Sequence, residues 1–378
     1  MRQIRSPLSC RRVVSCATAA MVSIGLAVMP AAASAPEDIG TAAAPQFVGE
    51  EILPTGLMFE GTEVGGLSGL SYDAVRRVYY AISDDRSQLD PARFYTLRID
   101  LSDGTLDDGD VSVLAVTTLR DPRGRPFPPS SLDPESIALT PRRTLVITSE
   151  GDASQLIAPF VREFGLGGRQ LANLPVPGYY DPAADGTSGV RNNLGFESGG
   201  FTPDGGFYFT GTENALAQDG PAATLTTMSP ARLLRYDSSG GLDREFVYVV
   251  EAVPEPPIPP DGFSTNGLVD VLPLSPTRLV AMERAFAVGA GNDVRLYLVD
   301  TAGATNVRGR PALPADLSGV QTVNKTLLVD LDALGITLDN LEGLTFGPTL
   351  ADGRQTVLIV SDNNFSTTQV TQFLAFTV

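Results

Sequence analysis

The sequence predicts an all-β fold, a β-propeller for which five blades are favoured and six are possible. A hairpin-like pattern occurs five times along the chain, with a spacing of roughly 60 to 75 residues that is typical of propeller blades. The segments between these copies are strand-like, and no convincing amphipathic helix interrupts them. Strand-like segments also stand at both ends of the repeated region, where they could close a ring.

Each copy of the pattern predicts a β-hairpin. It consists of a short apolar run, a turn rich in Pro, Gly, Asp or Arg, and a second apolar run that ends in Asp or Glu, as expected for two strands joined by a turn. The copies occupy residues 65–86, 133–152, 195–214, 265–286 and 340–365. Strand-like runs that would complete four-stranded blades occur at residues 93–101, 232–236, 246–250 and 295–300.

The repeat extends over a single predicted domain, residues 46–378. We expect residues 46–53 and 372–378 to pair in one blade, since a ring of blades has to be closed. The Pro-rich segments 121–134 and 253–260 are predicted to be long surface loops, because the repeat continues on both sides of each.

Residues 1–35 have the organisation of a cleaved secretory signal peptide. Four arginines precede an apolar stretch at 13–28, and small residues follow at 31–35. The apolar stretch is shorter than the roughly 20 residues of a membrane-spanning helix. Residues 36–45 would form a short linker. We therefore expect a bacterial protein of the periplasm or the extracellular space, and the arginine pair at 11–12 leaves the twin-arginine route open beside the general one.

Cysteine and histidine usage narrows the available chemistry. Cys10 and Cys16 both lie in the signal peptide, so the mature chain has neither a disulfide nor a thiol nucleophile. The chain has no histidine, which excludes a Ser-His-Asp triad and a histidine-ligated zinc site. The remaining candidates are carboxylates, hydroxyls, amides, arginine, tyrosine and the single lysine, Lys325.

The charge of the chain favours a cation as a partner. The whole chain has 27 basic and 44 acidic residues. Removal of the signal peptide takes away four arginines and no acid, which leaves 23 basic residues and a net charge of −21. Such a surface is unsuited to nucleic acid or to an anionic membrane. No later segment is long and apolar enough to insert into a bilayer.

The hairpins predict where acidic side chains meet. The start of the first strand and the end of the second lie at the same end of a hairpin, so residues at these two places share a face. The copies give the pairs Glu135 with Glu150, Glu197 with Glu213, Ser68 with Asp84, Gly267 with Glu283, and Glu342 with Asp362. If every inner hairpin presents this end to the axis, eight carboxylates surround one mouth.

Carboxylates this close repel one another, and a bound divalent cation would relieve the repulsion. The expected metal ligands are Asp84, Glu135, Glu150, Glu197, Glu213, Glu283, Glu342 and Asp362. Their hard oxygen atoms suit Ca²⁺ best, with Mg²⁺ as a second possibility. The alternative is a structural role, because acidic residues at strand ends often cap turns by accepting backbone amides.

Cationic and amide side chains accompany the acidic ones. An anionic substrate group could be held by arginine and lysine near the same loops. The residues expected to be catalytic are Glu197, Glu342, Arg284 and Lys325. The residues expected to bind substrate are Arg86, Arg191, Asn363 and Asn364.

Several motifs together resemble one protein family. They are GLSGLSYD before YYAISDDR, LDPESIAL before ITSEGD, MERAF before RLYLVD, and NLEGLTFGP before TVLIVSDNNF. Their combination resembles the phytase-like propeller family, which is described as having esterase-like activity, and the resemblance covers residues 46–378. It implies a propeller fold and a hydrolase. True β-propeller phytases are calcium-dependent phosphomonoesterases, but the chain lacks tryptophan and their Trp-bearing motif, so phytate is not implied as the substrate.

Two functions are compatible with the sequence. The favoured one is a secreted, divalent-metal-dependent hydrolase of phosphate or other esters, a monomer acting on a small anionic ester or phosphoester. A metal ion allows hydrolysis at neutral pH without histidine or cysteine. The alternative is a non-catalytic, calcium-stabilised propeller that binds a ligand or partner at the cell envelope, since propellers serve many unrelated functions.

Overall fold

The computed structural model describes residues 45–378. The predicted signal peptide and nearly all of the linker lie outside the described residues. The described chain forms five four-stranded antiparallel sheets in a ring, a five-bladed β-propeller. The predicted fold and the favoured number of blades are confirmed. Helix is confined, within residues 45–378, to three short 3-10 turns, and no helix there could cross a membrane.

The strands follow the chain from blade 1 to blade 5. The described chain begins with β1 (Gln46–Leu53) and a small hairpin of β2 (Met58–Phe59) and β3 (Thr62–Glu63). Blade 1 contains β4 (Leu67–Asp73), β5 (Val78–Ser83), β6 (Arg93–Ile99) and β7 (Val111–Thr118). Blade 2 contains β8 (Pro134–Leu139), β9 (Thr144–Ser149), β10 (Phe160–Gly165) and β11 (Gln170–Leu174).

Blade 3 contains β12 (Gly200–Phe201), β13 (Phe207–Gly211), β14 (Ser229–Asp237) and β15 (Leu242–Val250). Blade 4 contains β16 (Ser264–Pro273), β17 (Arg278–Ala287), β18 (Gly291–Asp300) and β19 (Asn324–Asp330). Blade 5 contains β20 (Leu341–Thr349), β21 (Gln355–Ser361) and β22 (Thr371–Thr377), together with β1.

The ring is closed by pairing of the first and last strands. β1 runs antiparallel to β22, with Gln46 opposite Thr377 and Leu53 opposite Thr371. This confirms the predicted pairing of the two terminal segments. Because blade 5 takes strands from both ends of the described chain, the ring cannot open without breaking this row of backbone hydrogen bonds.

The apolar core lies between the blades. Each blade is covered on both faces by its neighbours, so strands within a blade can be buried on both sides and need not alternate. All six residues of β5 and all seven residues of β22 are buried. Five apolar clusters fill the five interfaces between successive blades. In one of them, Leu358 and Val360 of blade 5 pack with Leu67 and Leu70 of blade 1.

Each sequence copy forms the two inner strands of one blade. The pairs are β4 with β5, β8 with β9, β12 with β13, β16 with β17, and β20 with β21. The first strands contact one another around the axis. For example, the Leu139 N–H of β8 donates to Ser71 Oγ of β4 at 2.9 Å. The beginnings of these first strands therefore meet at one end of the ring.

Candidate functional site

The first acidic position of a blade lies at a β-bulge. The pairing of β20 with β21 shifts by one residue at Glu342, between Leu341 and Gly343. A similar irregularity in blade 2 includes Glu135. In blade 3, Glu197 directly follows the isolated bridge between Phe196 and Thr212. Bulges re-aim side chains at the ends of strands, and these three glutamates accordingly point to the same cavity.

The second acidic position follows the second strand, directly in blades 1, 2 and 5 and after one intervening residue in blade 3. Its backbone N–H donates to the carbonyl of a residue just before the first strand. Four blades repeat this bond, at Asp84 to Gly66 (2.8 Å), Glu150 to Asp133 (3.1 Å), Glu213 to Gly195 (2.7 Å) and Asp362 to Asn340 (2.9 Å). The bond fixes each acidic residue at the mouth end of its hairpin. Gly66, at φ +63°, gives Asp84 space: a Cβ there would lie 2.0 Å from Asp84 Oδ1.

Blade 4 departs from the predicted pairing by one residue. Gly267 lies opposite Arg284, and Glu283 lies opposite Leu268. The position that carries a carboxylate in the other four blades is therefore occupied by Arg284. Neighbouring residues of a strand point to opposite sides, so Glu283 faces away from the axis.

Glu283 is held by four donors instead of lining the cavity. Its carboxylate accepts Lys325 Nζ (2.5 Å), Tyr248 Oη (2.7 Å), Asn266 Nδ2 (3.0 Å) and the Glu251 N–H (3.0 Å). Lys325, on the outer strand β19, also pairs with Glu251 at 3.0 Å. Both residues were expected at the mouth, and the structure places them in an ion pair elsewhere in blade 4.

The mouth is a polar cavity of about 560 Å³. Its walls contain two guanidinium groups, those of Arg86 and Arg284, among a larger number of carboxylates. The carboxylates are those of Asp84, Asp133, Glu135, Glu150, Glu197, Glu213, Glu342 and Asp362. The predicted number of eight is thus present, with Asp133 in place of Glu283.

The two arginines compensate only part of this charge. Arg284 donates to Glu342 Oε1 at 2.8 Å, and its Nε atom is buried without a hydrogen-bond partner among the described residues. Arg86 forms an ion pair with Asp133 and lies 3.4 Å from Glu150 Oε1. The Glu197 carboxylate, in contrast, accepts no hydrogen bond from residues 45–378. Glu197 therefore does not cap a turn, because no backbone amide among these residues donates to its carboxylate.

Burial and mutual repulsion raise the pKa values of the carboxyl groups in the mouth. Loss of solvation, followed by the charges of Asp362 and Glu342, raises the pKa of Asp84 well above its usual range. Burial and the neighbouring Glu197 do the same to the pKa of Glu135. Burial raises the pKa of Glu213 to about 7 although Arg284 opposes it. Such shifts indicate groups whose ionised forms lack a counter-ion.

One part of the mouth fits a divalent cation. Asp133, Glu135 and Glu150 each place a carboxylate oxygen within 4.8 Å of the other two, a spacing that one ion with oxygen ligands at roughly 2.3–2.6 Å can bridge. Asp84 Oδ1 is buried without a hydrogen-bond partner in the described chain. The donor set consists of hard oxygen atoms, which suits Ca²⁺ or Mg²⁺.

The predicted substrate-binding residues divide into two groups. Arg86 and Asn364 line the mouth. Asn363 is buried and has a structural role, since its Oδ1 accepts the N–H groups of Gly66 (3.0 Å) and Phe365 (3.1 Å). Arg191 lines a separate surface cavity and donates to the carbonyls of residues 215 and 220.

Asp133 and Asn340 line the mouth but were not among the predicted site residues. Asn340 Nδ2 donates to Glu342 Oε1 (2.9 Å) and to Asp362 Oδ2 (3.3 Å). The carbonyls of Asp133 and Asn340 accept the N–H of the second acidic residue in blades 2 and 5. In blades 1 and 3 a glycine accepts the equivalent bond. An alignment of the copies at this carbonyl would therefore have identified both side chains.

Asp270 is a third missed residue, buried between blades 3, 4 and 5. Its carboxylate accepts the N–H groups of Gly199 (3.2 Å), Val271 (2.8 Å) and Leu344 (2.6 Å). Gly199 and Leu344 stand two residues after Glu197 and Glu342. Asp270 therefore ties together the two chain segments that carry these glutamates. Burial raises its pKa to about 8 against the lowering effect of the three N–H donors.

We expect Asp270→Asn to reduce the free energy of unfolding by roughly 2–3 kcal/mol. An amide offers one acceptor atom in place of two, so at least one buried N–H loses its partner or meets an NH₂ group. Urea unfolding measures the effect, with the exposed Asp261→Asn as the control. Equal unfolding free energies for the two variants would show that Asp270 does not hold these segments.

Comparison with known proteins agrees with the geometry. A sequence model of the phytase-like family, described as esterase-like activity of phytase, matches residues 62–365. No curated protein matches the sequence. A solved structure, the tail fiber of Staphylococcus aureus phage P68, aligns at a TM-score of 0.37 and 8% identity over 88% of this chain. The chain covers about half of that structure, 52%, and the likeness is too weak to support an argument. The family match includes all five inner hairpins and every carboxylate of the mouth, and the chain therefore belongs to the phytase-like family.

Proposed function

We propose that this protein is an exported, divalent-metal-dependent hydrolase of phosphate or other small anionic esters, with its active site at the mouth. The observation that carries the proposal is the convergence of eight carboxylates, contributed by four blades, on one cavity of about 560 Å³. Family membership adds a hydrolase of the esterase or phosphatase type. We further propose that the protein acts as a monomer in the periplasm or outside the cell.

The cation would be held first by Asp133, Glu135 and Glu150, whose oxygen atoms are already close together. We favour Ca²⁺, because it accepts six to eight oxygen ligands in flexible arrangements, whereas Mg²⁺ requires a compact octahedron. When bound, such an ion polarises an ester oxygen and lowers the pKa of a water ligand. Glu197 and Glu342, which line the same cavity, would offer further carboxylates to a second ion or to the water.

The chain's own groups would bind and orient the ester. Arg284 and Arg86 both line the mouth, and their guanidinium groups can donate to the anionic part of a substrate. Glu213 and Asp362, with pKa values of about 7 and about 8, are suited to accept or return a proton near neutral pH. Lys325 has no part in this proposal, because Glu283 and Glu251 already pair with it.

A panel of chromogenic esters tests the proposal. Mature protein should hydrolyse at least one of p-nitrophenyl phosphate, bis-p-nitrophenyl phosphate and p-nitrophenyl acetate in calcium, and chelator should abolish the activity. The Glu342→Gln variant controls for a contaminating hydrolase, since it removes a mouth carboxylate. Absence of turnover with calcium, magnesium or manganese on all three esters would contradict a hydrolase.

A non-catalytic, calcium-stabilised propeller is the second candidate. It is favoured by the ion pairs that Arg284 and Arg86 already form with Glu342 and Asp133, because paired guanidinium groups stabilise the ring without a substrate. This candidate predicts calcium-dependent stability without turnover of any ester in the panel.

A further inference from the structure

The mouth is chemically asymmetric, and blade 4 forms its least acidic side. Blades 1, 2, 3 and 5 each contribute carboxylates, whereas blade 4 contributes Arg284 and the segment 263–265. This segment begins with Phe263, whose ring is the aromatic group among the residues that line the mouth. The opposite side, in blades 1 and 2, holds Arg86 and the cluster of Asp133, Glu135 and Glu150.

Phe263 is exposed but held in place. The residue is 64% exposed although it borders a strongly charged cavity. Its ring packs on Phe286 of the neighbouring strand, with centroids 6.3 Å apart, and its carbonyl accepts the Val288 N–H at 3.0 Å. A single exposed apolar side chain is ordinary on a protein surface. Here, however, the ring packs on Phe286 and the residue lines a cavity.

The neighbouring wall is small and apolar. Ala222 and Ala223, in the loop between β13 and β14, line the mouth together with Phe263. The Ala223 N–H is bound by Asn214 Oδ1 at 2.9 Å, which fixes this loop beside blade 4. Phe263 and these two alanines therefore give the mouth an apolar part of its lining, and Arg284 lines the same cavity.

We propose that Phe263 is a specificity-determining residue that binds the apolar, preferably aromatic, alcohol part of an anionic ester. This inference rests on the proposed function and names the substrate class: aryl or similarly apolar phosphoesters, in preference to esters of small polar alcohols. The anionic group would lie between Arg284 and a cation held by the carboxylate cluster, and the aromatic group would pack against Phe263. Aromatic rings gain from offset or edge contacts beyond the burial of area alone.

Non-hydrolysable ligands separate binding from turnover. Isothermal titration calorimetry with millimolar calcium should show phenylphosphonate binding roughly three- to tenfold more tightly than methylphosphonate. In Phe263→Ala this preference should be lost, with methylphosphonate affinity unchanged, and Phe263→Tyr should retain it. Ile258→Ala is the matched control, because Ile258 is a comparably exposed residue of the same loop, at 68%, but does not line the mouth.

The outcomes distinguish this inference from the proposed function. Equal affinities for the two phosphonates in the wild type, or a preference that survives in Phe263→Ala, would overturn the role of Phe263. Failure of both phosphonates to bind in calcium would overturn the role together with the proposed site. A phenyl preference that depends on Phe263, without hydrolysis of phenyl phosphate, would support the subsite and contradict the hydrolase.

Discussion

Calcium at saturating concentration should raise the melting temperature of the protein by roughly 3–8 °C, and by more near pH 8 than near pH 5. The increase is expected because the carboxylates of the mouth are buried beside one another with two arginines as partners. An ion that binds only the folded state stabilises it by mass action. A bound ion also reduces the repulsion among the mouth carboxylates, which is present in the metal-free folded protein.

The pH dependence follows from the direction of the pKa shifts. Burial, aided by Glu342, raises the pKa of Asp362 to about 8, and burial raises that of Glu213 to about 7. In an unfolded chain, such groups have pKa values of about 4. The folded, metal-free protein therefore retains protons that the unfolded chain has lost. The contribution to stability is present below about pH 4 and is lost as pH rises through about 7 to 8.

Calcium should compensate for this loss. Carboxylates bind a cation only after losing their protons, so calcium affinity rises over the same pH window. Differential scanning fluorimetry in calcium and in chelator, at several pH values, measures both effects. Added sodium chloride of equal ionic strength controls for screening. Identical melting curves in calcium and in chelator across this range would contradict a cation site at the mouth.

Two buried glutamates of inner hairpins should respond oppositely to the same substitution. Glu197→Gln should weaken calcium binding at least about tenfold, and leave the stability of the metal-free protein unchanged or increased, because it removes one of several buried like charges. If the protein is a hydrolase, its rate should fall with metal affinity. Glu283→Gln should instead lower the unfolding free energy by roughly 2–3 kcal/mol, because Lys325 and Tyr248 lose a carboxylate partner.

Calcium titration by calorimetry and urea unfolding in chelator measure the two quantities separately. Each variant is the control for the other, since both exchange a buried glutamate for glutamine near the end of an inner hairpin. Should Glu197→Gln be destabilised while retaining full calcium affinity, Glu197 fastens its blade and the cation site lies elsewhere.

The ring itself was predictable from local patterns. The strands β5 and β22 are fully buried because a blade is covered on both faces. Such burial requires mainly apolar residues within a single strand, and this pattern is visible in the sequence. The closing pair, β1 with β22, was also predictable, because two strand-like termini had to be paired for the ring to close. The acidic residues after β5, β9 and β21 follow from hairpin geometry alone.

Contacts between blades were decided by the tertiary structure. Asp270 binds Gly199 and Leu344, which lie about 70 residues away on either side, and no local pattern indicates such partners. Lys325 lies on the outer strand of blade 4, and its distance from the mouth follows from strand order, which the sequence copies do not contain.

The sequence alone determined five hairpins, their closure into a ring and an acidic end for each of four blades, because strand periodicity and turn residues act locally. The tertiary structure decided which side chain of blade 4 reaches the axis. Glu283 and Arg284 are adjacent in the chain, and a one-residue difference in register exchanges the side to which each points. The mouth thereby has an arginine where the spacing predicted a glutamate, and the glutamate forms a buried ion pair with Lys325.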